Sequence, residues 1–211
     1  MRFTCSASVA THSTHHSTAV TEVDAASCVP HHGYNMAPPT PPAGPVPQGD
    51  GDSSDDNNMS LLTTTLGHLD IDLDIRPYTP PPRPDTEPGI FCKNLLLKDR
   101  KAQYYLVTFR EDKQLDLKNL KQQVGAHRNF SFASAQELRE VLNGEAGCVS
   151  PFCLINDSQD RVKFLLDSDL VAASELLNFH PFDPTLTSLL SSQNLQRFCQ
   201  RLNKPIIPVL C

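Results

Sequence analysis

The sequence predicts an α+β fold, a single domain in which a mixed sheet is packed with short helices. Three observations carry that prediction. Short apolar runs of strand length recur between turn residues from Phe91 onward. Helix signals are brief and well bounded, the clearest being the Ser134-Ala-Gln-Glu137 capping box. Finally, strands and helices do not follow the regular β-helix-β alternation of a doubly wound sheet.

In chain order, residues 1–58 come first and cannot contribute much core. They hold seven of the prolines, five of the eight histidines, six acids and a single base, Arg2. Low apolar content with an acid excess cannot offset chain entropy, so this segment is expected to be disordered. Within it, Ala37 to Pro47 favours polyproline II, which suits a stiff spacer or a ligand for an SH3- or WW-type groove. Gly49 to Asn58 reads as an acidic linker. Met59 follows where hydrophobic patterning begins, as an alternative start or by chance, so the domain is expected over residues 59–211.

From Ser60 to Leu69 a short helix is predicted, with Leu61, Leu62, Leu66 and Leu69 on one face, and Asp70 to Tyr78 alternates like a strand. Five prolines between Thr79 and Pro88 exclude helix and central strand there. Phe91–Lys98 and Tyr104–Arg110 read as an antiparallel hairpin. Leu117–Val124 is a helix opened by Asp116 and stopped by Gly125. The capping box starts another helix running to about Leu142, with Leu138, Val141 and Leu142 facing inward. After a loop from Gly144 to Pro151, the runs Phe152–Asn156 and Arg161–Asp167 are expected to pair as a second hairpin. Glu175–His180 and Thr187–Leu190 look like strands, Ser191 or Ser192 caps a last helix to about Arg201, and Lys204–Val209 supplies a terminal strand.

Charge and cysteine content narrow the function. The net charge is −6, yet from Met59 onward 18 acids face 17 bases, so the excess belongs to the tail and the domain is close to neutral. Extended nucleic-acid contact is therefore not expected, and any RNA contact must be local. The seven cysteines form neither a C-x-x-C pair nor a zinc-type Cys/His set. An odd, scattered set points to a reducing, cytoplasmic setting. No apolar run approaches a membrane span, and no apolar segment after Arg2 resembles a secretory signal. A transit peptide would suit the Ser/Thr-rich start but not its single arginine.

No G-x-S-x-G, H-E-x-x-H, Walker A or G-x-G-x-x-G motif is present. Three separated pieces remain. Lys93 and Asn94 open the first hairpin; Gly147, Cys148, Val149, Ser150 and Pro151 form a loop; Asn178 and His180 end another strand before Pro181. Taken singly, each has a plain structural reading. Lys93 is a surface cation, Asn94 an edge residue, His180 a satisfied strand-end histidine, Cys148 a small filler, and the glycine and proline ordinary loop punctuation. Taken together, they could supply what hydrolysis of an activated ester requires: a cation for a phosphate, main-chain donors for an oxyanion, and a place for one water.

The order and wording of the segments go further. Cys-Lys-Asn-Leu-Leu-Leu-Lys-Asp (92–99), Gln-Tyr-Tyr-Leu-Val (103–107), Phe-Ala-Ser (132–134) with its capped helix, Gly-Cys-Val-Ser-Pro (147–151) and Asn-Phe-His-Pro (178–181) together resemble the aminoacyl-tRNA editing family that includes YbaK. Within that family the likeness is to the free-standing prolyl-tRNA editing proteins of the ProX or PrdX type, and it runs from about Met59 to Leu210. The resemblance implies a mixed, mostly antiparallel sheet with short helices. It also implies hydrolysis in trans of mischarged tRNA(Pro), typically Ala-tRNA(Pro), without metal or cofactor. Lys93, Gly147 and His180 would be catalytic: Lys93 orients the terminal adenosine or its phosphate, the Gly147–Pro151 loop approaches the aminoacyl group, and His180 lines the amino-acid pocket. Asn94, Cys148, Val149, Ser150, Pro151 and Asn178 would shape the substrate site. The partner would be the tRNA acceptor end, met by a local positive cluster of Lys93, Lys98, Arg100 and Lys101, with prolyl-tRNA synthetase or a synthetase complex as further partners. Size exclusion of proline would make it a second sieve.

The sequence departs from the family in the stretch from Tyr78 to Lys93, which is shorter and richer in proline than usual, and at Pro184 and Cys153. That remodelling, with the long tail, leaves open a catalytically silent module that binds tRNA or a synthetase. Lys93, Gly147, Pro151 and His180 favour the enzyme.

Overall fold

The strands predicted from apolar runs lie side by side in one sheet. The structure, a computed structural model, describes residues 53–79 and 88–211. The expectations for the tail up to residue 52, including its polyproline segment, and for the proline-rich residues 80–87, lie outside the described residues.

Eight strands form the sheet: β1 (Asp74–Pro77), β2 (Ile90–Lys98), β3 (Tyr104–Arg110), β4 (Ser131–Phe132), β5 (Val162–Asp167), β6 (Leu176–Phe179), β7 (Leu186–Ser191) and β8 (Ile206–Val209). Their order is β1-β7-β6-β2-β3-β5-β8, with β4 placed beside β2. Four pairings are antiparallel (β1·β7, β6·β7, β2·β3, β2·β4) and three parallel (β2·β6, β3·β5, β5·β8), so the sheet is mixed with an antiparallel majority. The expected first hairpin is present, with Lys93 opposite Phe109 and Leu97 opposite Tyr105.

Apolar runs without alternation imply strands covered on both faces, and two core clusters do cover them. Leu96, Leu106, Phe164 and Leu166 point into one cluster, together with Leu138, Val141, Phe152, Phe179 and Phe198. Leu97, Tyr105, Val107, Phe109 and Leu165 point into the other, closed by Leu120. Consecutive residues of β2, β3 and β5 thus serve opposite faces, as the two-residue period of a strand requires.

The helices begin where their caps dictate. In α2 (Leu117–Val124) the Asp116 carboxylate accepts from the Lys118 and Asn119 N–H groups, and Gly125 closes it at φ 62°. In α3 (Ala135–Leu142) both halves of the capping box form, and Asn143 ends the helix at φ 46°. Ser191, not Ser192, caps α5 (Ser192–Arg201); the Ser192 hydroxyl instead donates to the Val171 carbonyl at 2.9 Å. A single turn, α4 (Ser168–Val171), and β4 had no signal in the sequence.

Three expectations need correction. The first helix, α1, spans Ser53–Gly67 and so begins inside the segment read as linker. Asn58 is only 3 % exposed there, donates to the Asn143 carbonyl, and its side-chain oxygen accepts from Asn143 Nδ2 and Asn156 Nδ2. The strand expected over Asp70–Tyr78 shrinks to the exposed edge strand β1. Phe152–Asn156 does not pair with β5 as a hairpin. Pro151–Asn156 is a 3-10 helix with Pro151, Phe152, Cys153 and Leu154 all buried. Four consecutive buried residues fit a helix inside the core as well as a strand, and a short apolar run cannot separate the two. Proline at the first helical position, where its missing N–H costs nothing, decides it.

Candidate active site

Among the described residues the middle of β2 has only one strand neighbour. β3 pairs along one whole edge of it. On the other edge β6 reaches only Ile90 and Phe91, and β4 reaches only Leu97 and Lys98. Among the described residues no strand pairs with the interval between, and a cleft of about 350 Å³ opens there. Its wall brings together Lys93 and Asn94 from β2, Phe132 and Ala133 from β4 and the turn after it, Gly147 and Val149 from the loop after α3, and His180 from the end of β6.

Each of these side chains is held by its element. Asn94 faces the first core cluster's side of β2, and its side-chain oxygen accepts from the buried Thr108 hydroxyl at 2.7 Å. Lys93 points the opposite way, exposed, its Nζ donating to the Glu111 carbonyl at 2.6 Å. Gly147 turns the loop at φ 94°, and a Cβ there would meet nothing within 4 Å. Conformation rather than crowding therefore favours glycine at that position. The loop is anchored twice, by the Cys148 N–H to the Glu145 carbonyl at 3.1 Å and by the buried Ser150 hydroxyl to the His180 carbonyl at 2.9 Å.

His180 Nδ1 lies 2.6 Å from the Leu186 carbonyl. A carbonyl can only accept, so Nδ1 carries a proton, and the tautomer inferred from that contact is the one whose lone pair is on Nε2. The Tyr78 ring packs edge-on against the imidazole, centroids 4.8 Å apart, and fixes its plane.

Four expected substrate residues lie behind the cleft wall. Asn178 is buried, donating through Nδ2 to the Pro88 carbonyl at 2.9 Å and accepting from the Thr187 hydroxyl at 3.5 Å. It positions the start of β2; a side chain at Gly89 would strike its Nδ2 at 2.8 Å and the Leu176 carbonyl at 2.6 Å. Pro151 starts the 3-10 helix and Ser150 is the tie to His180. Cys148 is buried, and burial pushes its thiol up to about 11. The Cys92 thiol, also on the wall, is raised by burial to about 12. Neither can supply a thiolate at neutral pH. Among the described residues no cluster of three His, Cys, Asp or Glu side chains is placed to hold a metal ion, and no helix is long and apolar enough to cross a membrane.

The sequence profile of the aminoacyl-tRNA editing domain matches residues 83–198, a span holding every residue named on the cleft wall. The chain belongs to the aminoacyl-tRNA editing domain family. Relatives include the prolyl-tRNA editing protein ProX of Acetoanaerobium sticklandii, 39 % identical over 106 residues that cover 50 % of this chain and 63 % of that protein. They also include the prolyl-tRNA synthetase associated domain-containing protein 1 of Bos taurus, 38 % identical over 123 residues, covering 56 % and 71 %. A solved structure described provisionally as a trans-editing enzyme for prolyl tRNA synthetase superposes with a TM-score of 0.56 at 19 % identity, over 77 % of this chain and 99 % of its own. At that identity the superposition shows the fold.

In this editing domain several wall residues were not among those expected at the site, although Phe132 and Ala133 lie in one of the motifs. Phe132 is 61 % exposed at the cleft, and Ala133 and Leu138 floor it on either side of the capping box. The signal was an aromatic set two residues before the cap of a helix, which local periodicity treats as ordinary. One expected residue leaves the positive cluster: Lys98 is paired with Glu137 at 2.6 Å.

Proposed function

We propose that this editing domain is an aminoacyl-tRNA deacylase that hydrolyses mischarged tRNA(Pro) in trans, with Ala-tRNA(Pro) as its main substrate. The observation that carries the reading is the interrupted edge of β2, which sets Lys93, the Gly147 turn and His180 around one cleft where the described residues offer no activated protein nucleophile. Water is then the attacking group. His180 Nε2 accepts a hydrogen bond from it and takes its proton as the oxygen adds to the ester carbonyl. The C–O bond to the ribose breaks, the ribose oxygen leaves and is protonated, and the amino acid departs as a carboxylate. The loop at Gly147 brings main-chain groups against the developing oxyanion. Lys93, exposed and held among the described residues only by the Glu111 carbonyl, exchanges that partner for a phosphate of the terminal nucleotides. Phe132 offers a face on which the terminal base stacks. The apolar floor of Ala133, Leu138 and Val149 suits a small side chain, so proline is rejected on bulk. The scheme is written without a metal ion or cofactor.

The test is deacylation of Ala-, Cys- and Pro-tRNA(Pro) by the full chain, in EDTA, beside the Lys93→Ala variant. Rapid loss of alanine with proline retained is the expected result. Rates equal to background for both proteins on all three substrates would leave a binding module in place of an enzyme.

A further inference from the structure

We propose that a basic groove at the far end of β2, lined by Lys101, His127, Arg161 and Lys163, binds the phosphodiester backbone of the tRNA acceptor stem, as a second contact apart from the cleft. This rests on the deacylase reading for the identity of the RNA.

The groove encloses about 500 Å³ between the β2–β3 turn, the segment after α2 and the start of β5. Its one acid, Asp99, is buried and fully engaged. Its carboxylate accepts from the Lys101, Gln103 and His127 N–H groups at 2.8, 3.1 and 3.0 Å and from the Tyr105 hydroxyl at 3.4 Å. Burial alone would raise its pKa, but those donors outweigh it and hold the group ionised, below the ordinary carboxylate range. Asp99 thus builds the groove and has no lone pair to spare for the cations beside it.

Those cations are unneutralised. Arg76, Lys98, Arg110, Lys113, Arg139 and Lys204 all pair with carboxylates. Of the cations that make no ion pair among the described residues, Arg100, Lys101, Arg128, Arg161 and Lys163 belong to this region, and Lys93, Lys118, Lys121, Arg197 and Arg201 lie elsewhere. The former lie together: the Arg100 N–H donates to the His127 carbonyl at 3.2 Å, and Lys163 Nζ sits 5.7 Å above the Tyr105 ring. Arg161 donates through Nη2 to the Glu140 carbonyl at 2.7 Å, while its buried Nε has no hydrogen-bond partner among the described residues. In a domain close to neutral, such a concentration of donor-only side chains makes a local field for an anion with several oxygens.

Position favours RNA over a free anion. Asp99 follows directly after β2, six residues on from Lys93, so the groove begins about 20 Å from Lys93 and beside the Phe132 end of the cleft. A nucleic-acid strand advances about 3.4 Å per phosphate along a duplex, so an ester held at the Lys93 end puts the groove roughly six nucleotides away, on the acceptor stem. The chain from Arg128 to Phe132 leads directly from this groove to the cleft wall.

The experiment titrates full-length protein with deacylated tRNA(Pro) over a range of salt, for the wild type and for Lys101→Ala/Lys163→Ala. Both lysines are exposed, and an unchanged melting curve checks the fold. Two lost phosphate contacts should flatten the slope of log Kobs against log[salt] by about 1.4 to 1.8. Hydrolysis of full-length Ala-tRNA(Pro) should fall, and that of a short aminoacylated 3′ fragment lacking the stem should fall much less. An unaltered slope overturns the proposal, as does an equal loss on the short fragment, or a variant deficient only in binding inorganic phosphate. A flattened slope with no deacylation by either protein would sink the deacylase reading and keep the groove.

Discussion

The Ser150 hydroxyl donates to the His180 main-chain oxygen at 2.9 Å, joining the glycine loop to the end of β6 across the back of the cleft. Ser150 is completely buried, so Ser150→Ala leaves a carbonyl without a partner. A stability loss of about 1–3 kcal/mol is expected from that orphaned acceptor. Deacylation should fall with it, through kcat more than KM, because the two walls then move independently. Urea titration and steady-state kinetics check this; a stability loss with an unchanged kcat would show that the tie serves folding alone.

Lys93 contributes one exposed hydrogen bond to the fold, so Lys93→Ala should melt within a degree or two of the wild type. If it holds substrate phosphate as proposed, the rate should drop on the order of 10²-fold, the loss common for one charged donor at a reacting centre. Near wild-type turnover would remove Lys93 from the site.

At Gly147 any Cβ has room but the backbone lies at φ 94°. Gly147→Ala should cost about 1–2 kcal/mol through conformation alone and displace the loop. Thermal melting and deacylation should therefore both decline, whereas Gly144→Ala, at ordinary φ, should spare activity.

The Glu137 carboxylate receives Lys98 Nζ at 2.6 Å, the Ser134 N–H and hydroxyl at 2.8 and 2.9 Å, and the Tyr104 hydroxyl at 3.0 Å. The lysine first, and Ser134 next, lower its pKa to about 2. A depressed acid stabilises the folded state fully above its unfolded pKa, about 4.3, and loses that contribution as pH falls through the folded value. Glu137→Gln should therefore be less stable than the wild type at pH 7, with a gap that closes between about pH 5 and pH 2. Urea midpoints across that range test it; a gap constant with pH would refute it.

Asn58 joins α1 to α3 and the 3-10 helix through three hydrogen bonds, to the Asn143 carbonyl and from the Asn143 and Asn156 side-chain amides. Asn58→Ala should cost about 2–3 kcal/mol, because buried amides lose their partners. Deleting residues 1–58 should be at least as harmful, while deleting 1–52 should leave melting and deacylation close to those of the full chain.

Much of this was legible in the sequence because it is local. Asp116, Gly125, Ser134 with Glu137, and Ser191 each settle a helix end through a hydrogen bond spanning two or three residues, and side-chain spacing states such bonds directly. The apolar runs 95–97 and 104–109 likewise declared strands covered on both faces. What stayed hidden depends on distant partners. Asn58 looks like linker until Asn143 and Asn156 are beside it. Phe152 to Leu154 look like a strand until the surrounding core shows that no strand pairs with them. The same division runs through the candidate site. Lys93, Gly147 and His180 lie in motifs, and they share the cleft. Asn178 and Ser150 lie in the same motifs yet serve behind its wall, and which way a strand-end side chain turns depends on the neighbouring strand. Phe132 lies in a motif too, but was not assigned to the site, because β4 is two residues long and gives no strand signal of its own.

An unpaired strand edge normally invites a foreign strand to add on, the route by which sheets aggregate. Here the stretch of β2 left unpaired on one edge by the described residues is stopped at both ends, by β6 at Phe91 and by β4 at Leu97. A stray peptide has room for too few residues to register, whereas the compact ester proposed as substrate would fit. The two short neighbours of β2 act as bookends, letting the protein keep main chain exposed for recognition without becoming a seed for its own precipitation.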